Sequence, residues 1–134
     1  MSNNNDILQL KQGKLDLLKA RHMQLCKDSY IDYVDYVHRG LWKRSKHLIY
    51  LCGKVQALID DTLVNDKGEK VKILVVSMPP QHGKSQSITE TLPSWYLGKY
   101  PNKRVIEASY GDDLARRFGR RNKQKINEFG LAVS

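Results

Sequence analysis

The sequence predicts an α/β protein in which a parallel sheet follows a group of N-terminal helices. Three observations predict it. Residues 71–78 form a β-branched, nearly continuous apolar run, the pattern of a strand buried on both faces. Residues 104–109 form a second short run that reads as a strand. A helix-forming stretch follows each of them, so the order strand, loop, helix, strand, helix is that of a βαβ unit with a right-handed crossover.

The chain opens on Met-Ser-Asn-Asn-Asn-Asp, a polar stretch expected to be disordered. It has neither a basic n-region nor an apolar h-region, so it does not read as a signal peptide. Over residues 7–23 the apolar positions Ile7, Leu8, Leu15 and Leu18, with Leu10 and Leu17, predict a helix. Gly13 weakens it by about 1 kcal/mol relative to Ala. A second helix fits residues 29–37, where Tyr30, Tyr33, Val34 and Val37 share one face, and Gly40 ends it. Ser45 is placed to cap a third, with Leu48, Cys52, Val55, Leu58 and Ile59 as its apolar stripe. It fades at Asp60-Asp61. Asn65-Asp66-Lys67-Gly68 is a turn signal before the first strand, and Pro79 and Pro80 stop that strand. From Ser85 the chain reads as helical up to Pro93, which requires a kink or a restart with Pro93 in the first turn. Asp112 opens a long basic helix with Leu114, Ala115, Phe118 and Ile126 inward. The division that follows is a helical lead-in over 1–64 and a partial sheet core over 65–134.

A chain of 134 residues is long enough for one domain with its own core. Its net charge of +9 favours a polyanionic partner, nucleic acid or an acidic membrane surface; the plainer reading is excess surface lysine. Cys26 and Cys52 form no CxxC pair, and His22, His38 and His47 stand singly, so reduced thiols are expected and a zinc site is not. The longest apolar run is far too short to span a bilayer, so a soluble, intracellular protein without a membrane partner is expected.

The informative stretch is Met78-Pro79-Pro80-Gln81-His82-Gly83-Lys84-Ser85. A phosphate loop reads G-x-x-x-x-G-K-[ST] between a strand and a helix. Gly83, Lys84 and Ser85 match, and Met78 stands where the first glycine would be. Gly83 allows close backbone approach and a positive φ. The amides of residues 81–85 can line an anion-binding concavity, with Gln81 and His82 in its rim. Lys84 supplies a cation for the β- and γ-phosphates, and the Ser85 hydroxyl can join a Mg²⁺ shell. The competing reading is a chance Gly-Lys-Ser in an ordinary strand-to-helix turn.

This string resembles the phosphate loop of phage terminase large subunits, the DNA-packaging ATPases, where Pro-Pro-Arg-His-Gly-Lys-Ser is typical. Leu92-Pro93-Ser94-Trp95-Tyr96-Leu97-Gly98 resembles the family's Phe-Pro-Ala-Trp-Tyr-Leu-Gly segment. Arg104-Val105-Ile106-Glu107-Ala108-Ser109-Tyr110, with Asp113-Leu114-Ala115 and Phe118-Gly119-Arg120, resembles its next strand and helix. Upstream, Tyr30-Ile31-Asp32-Tyr33-Val34 and Lys46-His47-Leu48-Ile49 lie where the family has a lead-in helix and a nucleotide-side histidine. The resemblance covers residues 29–126. It implies a truncated P-loop NTPase sheet of the ASCE-like kind, the N-terminal portion of the ATPase domain. It implies ATP and Mg²⁺ as ligands, with Gln81, His82, Gly83, Lys84 and Ser85 on the nucleotide and Ser85 on the metal; His47 reads either as a nucleotide-side residue or as a partly buried helix histidine. Its implied partners are double-stranded DNA, a small terminase subunit and a portal protein, with homo-oligomers at full length, in the cytoplasm of a bacterial host. Gln81 departs from the family's arginine, which puts nucleotide affinity or coupling in question. The family's Walker B carboxylates, coupling motif and nuclease domain lie further on.

Hydrolysis needs an acid for the Mg²⁺ water shell and a carboxylate to orient water. Glu107 lies inside a predicted strand and reads as pointing into or across the sheet. Asp112 and Asp113 read as helix N-terminal charges, and Asp60 and Asp61 close a helix. The chain alone is therefore expected to be a poor ATPase or none. Arg116, Arg117, Arg120 and Arg121, with Lys123 and Lys125, form a basic cluster. It reads as a solvated face, a DNA phosphate track, or a source of an arginine for a neighbouring subunit's nucleotide. Trp42 and Trp95 read as core aromatics or base-stacking residues. Two alternatives stand beside the terminase reading: a stand-alone, non-hydrolysing nucleotide- or DNA-binding module, and a degenerate prophage remnant.

Overall fold

The computed structural model describes residues 2–79 and 83–130. The order is α1 (Ser2–Asp28), α2 (Tyr30–Val37), α3 (Lys46–Ile59), a π-helical turn (Ser85–Thr89), α4 (Leu92–Lys99) and α5 (Asp112–Phe129). Among the described residues 65% are helical, and no strand or sheet forms.

That corrects the parallel-sheet α/β prediction. Neither apolar run is helical and neither forms a strand; at the start of the first, the Val71 amide donates to the Leu63 carbonyl at 2.9 Å across the turn, and no ladder continues from there among the described residues. An isolated β-bridge joins Val64 and Lys70 across the predicted turn. The run over 71–78 is not buried on both faces either. Leu74, Val76 and Met78 pack against the core, while Ile73 and Val75 are 80% and 86% exposed. Alternation of this kind is the period of an extended chain resting one face on a helical layer. In the second run, Ile106 is 93% exposed. Apolar, β-branched composition selects the extended backbone; a sheet also needs a partner strand, which these residues do not supply to each other.

α1 starts earlier than the sequence predicts and takes in the Asn run. Gln12 and Gln24 each donate to an aspartate four residues on, Asp16 and Asp28, both at 3.0 Å. Leu8, Leu15 and Leu18 stay exposed, and only Met23 and Cys26 near its end meet the core. α2 buries the face formed by Tyr30, Tyr33, Val34 and Val37. α3 buries Leu48, Leu51, Cys52 and Val55. Gln56 bridges the break between α1 and α2: its Oε1 accepts from the Tyr30 amide at 3.0 Å and its Nε2 donates to the Asp28 carbonyl at 2.7 Å. Arg44 donates to Asp32 and Asp35, each at 2.9 Å, tying the α2–α3 connector back onto α2. Burial pushes the Asp32 carboxyl up, but hydrogen bonds from Arg44 and Ser29 outweigh it and hold the group below its ordinary value.

Trp95 of α4 completes the core from the other half of the chain. Its indole donates to the Cys26 carbonyl at 2.8 Å, and its ring lies 5.2 Å from that of Tyr30. The Tyr33 hydroxyl meets Ser94 Oγ at 2.8 Å. Both tryptophans are buried, so neither offers a face for base stacking. Pro93 sits in the first turn of α4, where its missing donor costs nothing. Cys26 and Cys52 are free and buried, and burial lifts both thiols to about 11. At such values they are inert at neutral pH.

Candidate phosphate-binding site

The extended run leads through Pro79 to the loop. Gln81 and His82 lie outside the described residues. Gly83 has φ +84°, a left-handed conformation that L side chains avoid. A Cβ there would also come within 3.2 Å of Leu48 Cδ1. The backbone conformation favours glycine, and the contact would ask the Leu48 side chain to give by a few tenths of an ångström.

Past Gly83 the backbone turns helical at Lys84, and the Lys84 and Ser85 side chains are exposed. The turn that follows is wide: the Glu90 amide donates to the Ser85 carbonyl at 2.9 Å, five residues back. The Ser87 amide donates to the Gly83 carbonyl at 2.9 Å, and the Thr91 hydroxyl to the Gln86 carbonyl at 2.6 Å. The chain then breaks and restarts as α4.

Two clusters hold this turn. On one side Ser87 is buried against Tyr30 and Trp42. On the other, α5 docks at the far end. Asn122 donates through Nδ2 to the Thr89 carbonyl at 2.8 Å and to the Phe118 carbonyl at 3.0 Å. Arg121 pairs with the buried Glu90. Glu107 accepts a longer contact from Asn122 Nδ2 at 3.4 Å. Burial raises the Glu107 carboxyl, and burial lowers the Lys125 ammonium. Sequence reasoning missed Glu90, Ser87 and the Tyr30 hydroxyl, since no motif marks them.

Comparison with protein-family models, with curated proteins and with solved structures finds no match.

His47 lies on α3 and is exposed. Its Nε2 is 3.4 Å from Ser45 Oγ. It lines a groove of about 490 Å³ between α3 and the extended run, with Lys46, Tyr50, Lys54, Val76 and Met78 among the lining groups. Met78, at one end of the groove's lining, is also the first residue of the candidate loop sequence.

The structure divides the basic cluster. Arg116, Arg120 and Lys123 are exposed and lie on the face of α5 opposite Phe118 and Asn122, its buried side chains. Arg117 is exposed at the edge, its guanidinium 5.9 Å from the Phe118 ring centre. Arg121 is engaged by Glu90. Asp112 and Asp113 occupy the first turn of α5, where they complement its dipole. Asp60 caps α3 and pairs with Lys99 at 3.7 Å, and Asp61 pairs with Lys70 at 2.6 Å. Among the described residues no helix is long and apolar enough to cross a membrane.

Proposed function

We propose that residues 81–85 bind the phosphates of a nucleoside triphosphate, and that the chain is an ATP-binding part of a phage terminase large subunit, the motor that packages viral DNA. The geometry of Gly83 carries the reading. Its backbone is left-handed and closed against Leu48, and the next two residues, Lys84 and Ser85, are exposed to solvent. A missing Cβ at the point of closest backbone approach, an adjacent ammonium and an adjacent hydroxyl fit a Mg²⁺-bound polyphosphate. Lys84 would meet the β- and γ-phosphates, and Ser85 would take a place in the Mg²⁺ shell. The ion would neutralise phosphate charge. Double-stranded DNA is the macromolecular partner in this reading, with small-subunit and portal contacts following from the family resemblance.

Binding without turnover is the behaviour proposed for this chain by itself. Glu90 is the acid nearest to Ser85 in the chain, and it is ion-paired to Arg121 rather than free to orient water. The test is calorimetric titration of Mg²⁺-ATP, with Lys84→Ala as control. Binding that Lys84→Ala abolishes supports the reading; binding unchanged in Lys84→Ala, or none in the parent chain, ends it. A turnover number in the common enzyme range of about 1–10³ s⁻¹ would overturn the binding-only part.

A further inference from the structure

The turn that carries Lys84 and Ser85 is held by side chains from the N-terminal helices, and they converge on one residue. Ser87 is fully buried. Its carbonyl accepts from the Tyr30 hydroxyl, and its own hydroxyl accepts from Trp42 Nε1 at 3.2 Å. Tyr30 opens α2, and Trp42 sits in the connector between α2 and α3. Two separate pieces of the N-terminal half thus meet at a serine two residues beyond Ser85.

We propose that Tyr30 and Trp42 are positioning residues for the phosphate site: through Ser87 they set the direction in which Lys84 and Ser85 leave the backbone. A five-residue π-helical turn has too few internal bonds to hold itself, and the glycine before it adds freedom. In a continuous α-helix the Ser87 carbonyl would accept from the amide of Thr91. Here that amide turns to the Ile88 carbonyl at 3.3 Å, and the phenol takes up the Ser87 carbonyl instead. The side chains replace the helix's own bonding at that point. Both are buried, at 0% and 6% exposure, so the bonds are not traded for water. The Tyr30 ring is itself fixed against Trp95. The turn therefore takes its orientation from α2 and its connector.

The inference rests on the phosphate-binding reading, and two measurements on the whole chain separate them. The first is amide hydrogen exchange over residues 84–87, set against global stability in urea, for Tyr30→Phe, Trp42→Phe and Ser87→Ala. Exchange should accelerate about tenfold beyond the global change, the equilibrium effect of one buried hydrogen bond. Amides 84–87 that merely track global stability would overturn the inference. The second is the Mg²⁺-ATP dissociation constant, expected to rise about tenfold in Tyr30→Phe while α3 amides stay protected. If the parent chain binds and the folded variants bind equally well, the inference fails. If the parent does not bind, the phosphate reading fails, and the exchange result still decides whether Tyr30 and Trp42 hold the turn. Ser87→Ala, which deletes only one hydroxyl, serves should Tyr30→Phe not fold.

Discussion

Arg121 of α5 holds Glu90 at the end of the π-helical turn, Nη1 to Oε2 2.5 Å. The two are unequally placed: the Glu90 side chain is 7% exposed and that of Arg121 48%. Removing the arginine would strand a buried carboxylate. Breaking a fully buried pair in this way costs about 3–5 kcal/mol; with Arg121 half in water, Arg121→Ala should cost roughly 1–3 kcal/mol. Glu90→Gln in the same chain should recover much of the loss. A double-mutant cycle in urea measures it, and additive losses would show that the pair contributes nothing.

Gly83→Ala is expected to destabilise by roughly 1–2 kcal/mol, because it forces an L residue to φ +84°. The new Cβ also presses on Leu48 Cδ1 at 3.2 Å. Leu48→Val in the same chain should relieve the contact but not the backbone strain. Urea midpoints of the single and double variants separate the two. A double variant as stable as Leu48→Val alone would show that the strain is absent.

The basic face of α5 gives a salt-dependence prediction. If Arg116, Arg120 and Lys123 neutralise DNA phosphates, log K falls with log salt by about 0.9 per phosphate. Replacing all three with alanine should reduce the magnitude of that slope by up to about three units. Arg121→Ala should leave it unchanged, since that guanidinium is already engaged. Titration of duplex DNA at several salt concentrations decides. Equal slopes for parent and triple variant would leave these residues as a solvated face.

His38 sets an acid-side dependence. Burial lowers its pKa from the ordinary 6.5, and the nearby Lys125 lowers it further. Its hydrogen bond to the Val34 carbonyl, at 2.7 Å, and the charges of Glu90 and Asp35 oppose that shift without cancelling it. A depressed folded pKa means the unfolded chain takes up the proton first. The His38 contribution is present above about pH 6.5 and is lost as pH falls through the lower folded value. Unfolding free energy measured from pH 7 to 5 should therefore decline less steeply in His38→Gln. Identical slopes would rule His38 out as the source.

The sequence made α2 and α3 legible because each writes its buried face as a stripe: Tyr30, Tyr33, Val34 and Val37, then Leu48, Cys52 and Val55. The positive φ of Gly83 was a conformation the sequence allowed, because glycine alone adopts it freely. The sheet was misread because the apolar runs specify an extended backbone but not what lies beside it. The contacts that hold the candidate site span long stretches of chain, 57 residues from Tyr30 to Ser87 and 45 from Trp42 to Ser87. No periodicity encodes a meeting at that separation. The Asn run misled in the other direction, since low helix propensity did not stop α1 from starting there.

The outward side chains of Ile73 and Val75 have a consequence for the protein in concentrated solution. An extended apolar segment with unpaired edges is a template for a like segment on another molecule, the first step toward cross-β association. Lys72 stands next to Ile73, and its charge opposes the approach of a like segment, whereas Lys70 is already paired with Asp61. That protection is electrostatic, so it weakens as the Debye length shrinks from about 10 Å at 0.1 M to about 3 Å at 1 M salt. Colloidal stability should therefore be greatest at low ionic strength, the reverse of what a fold limited by charge repulsion within one molecule would show.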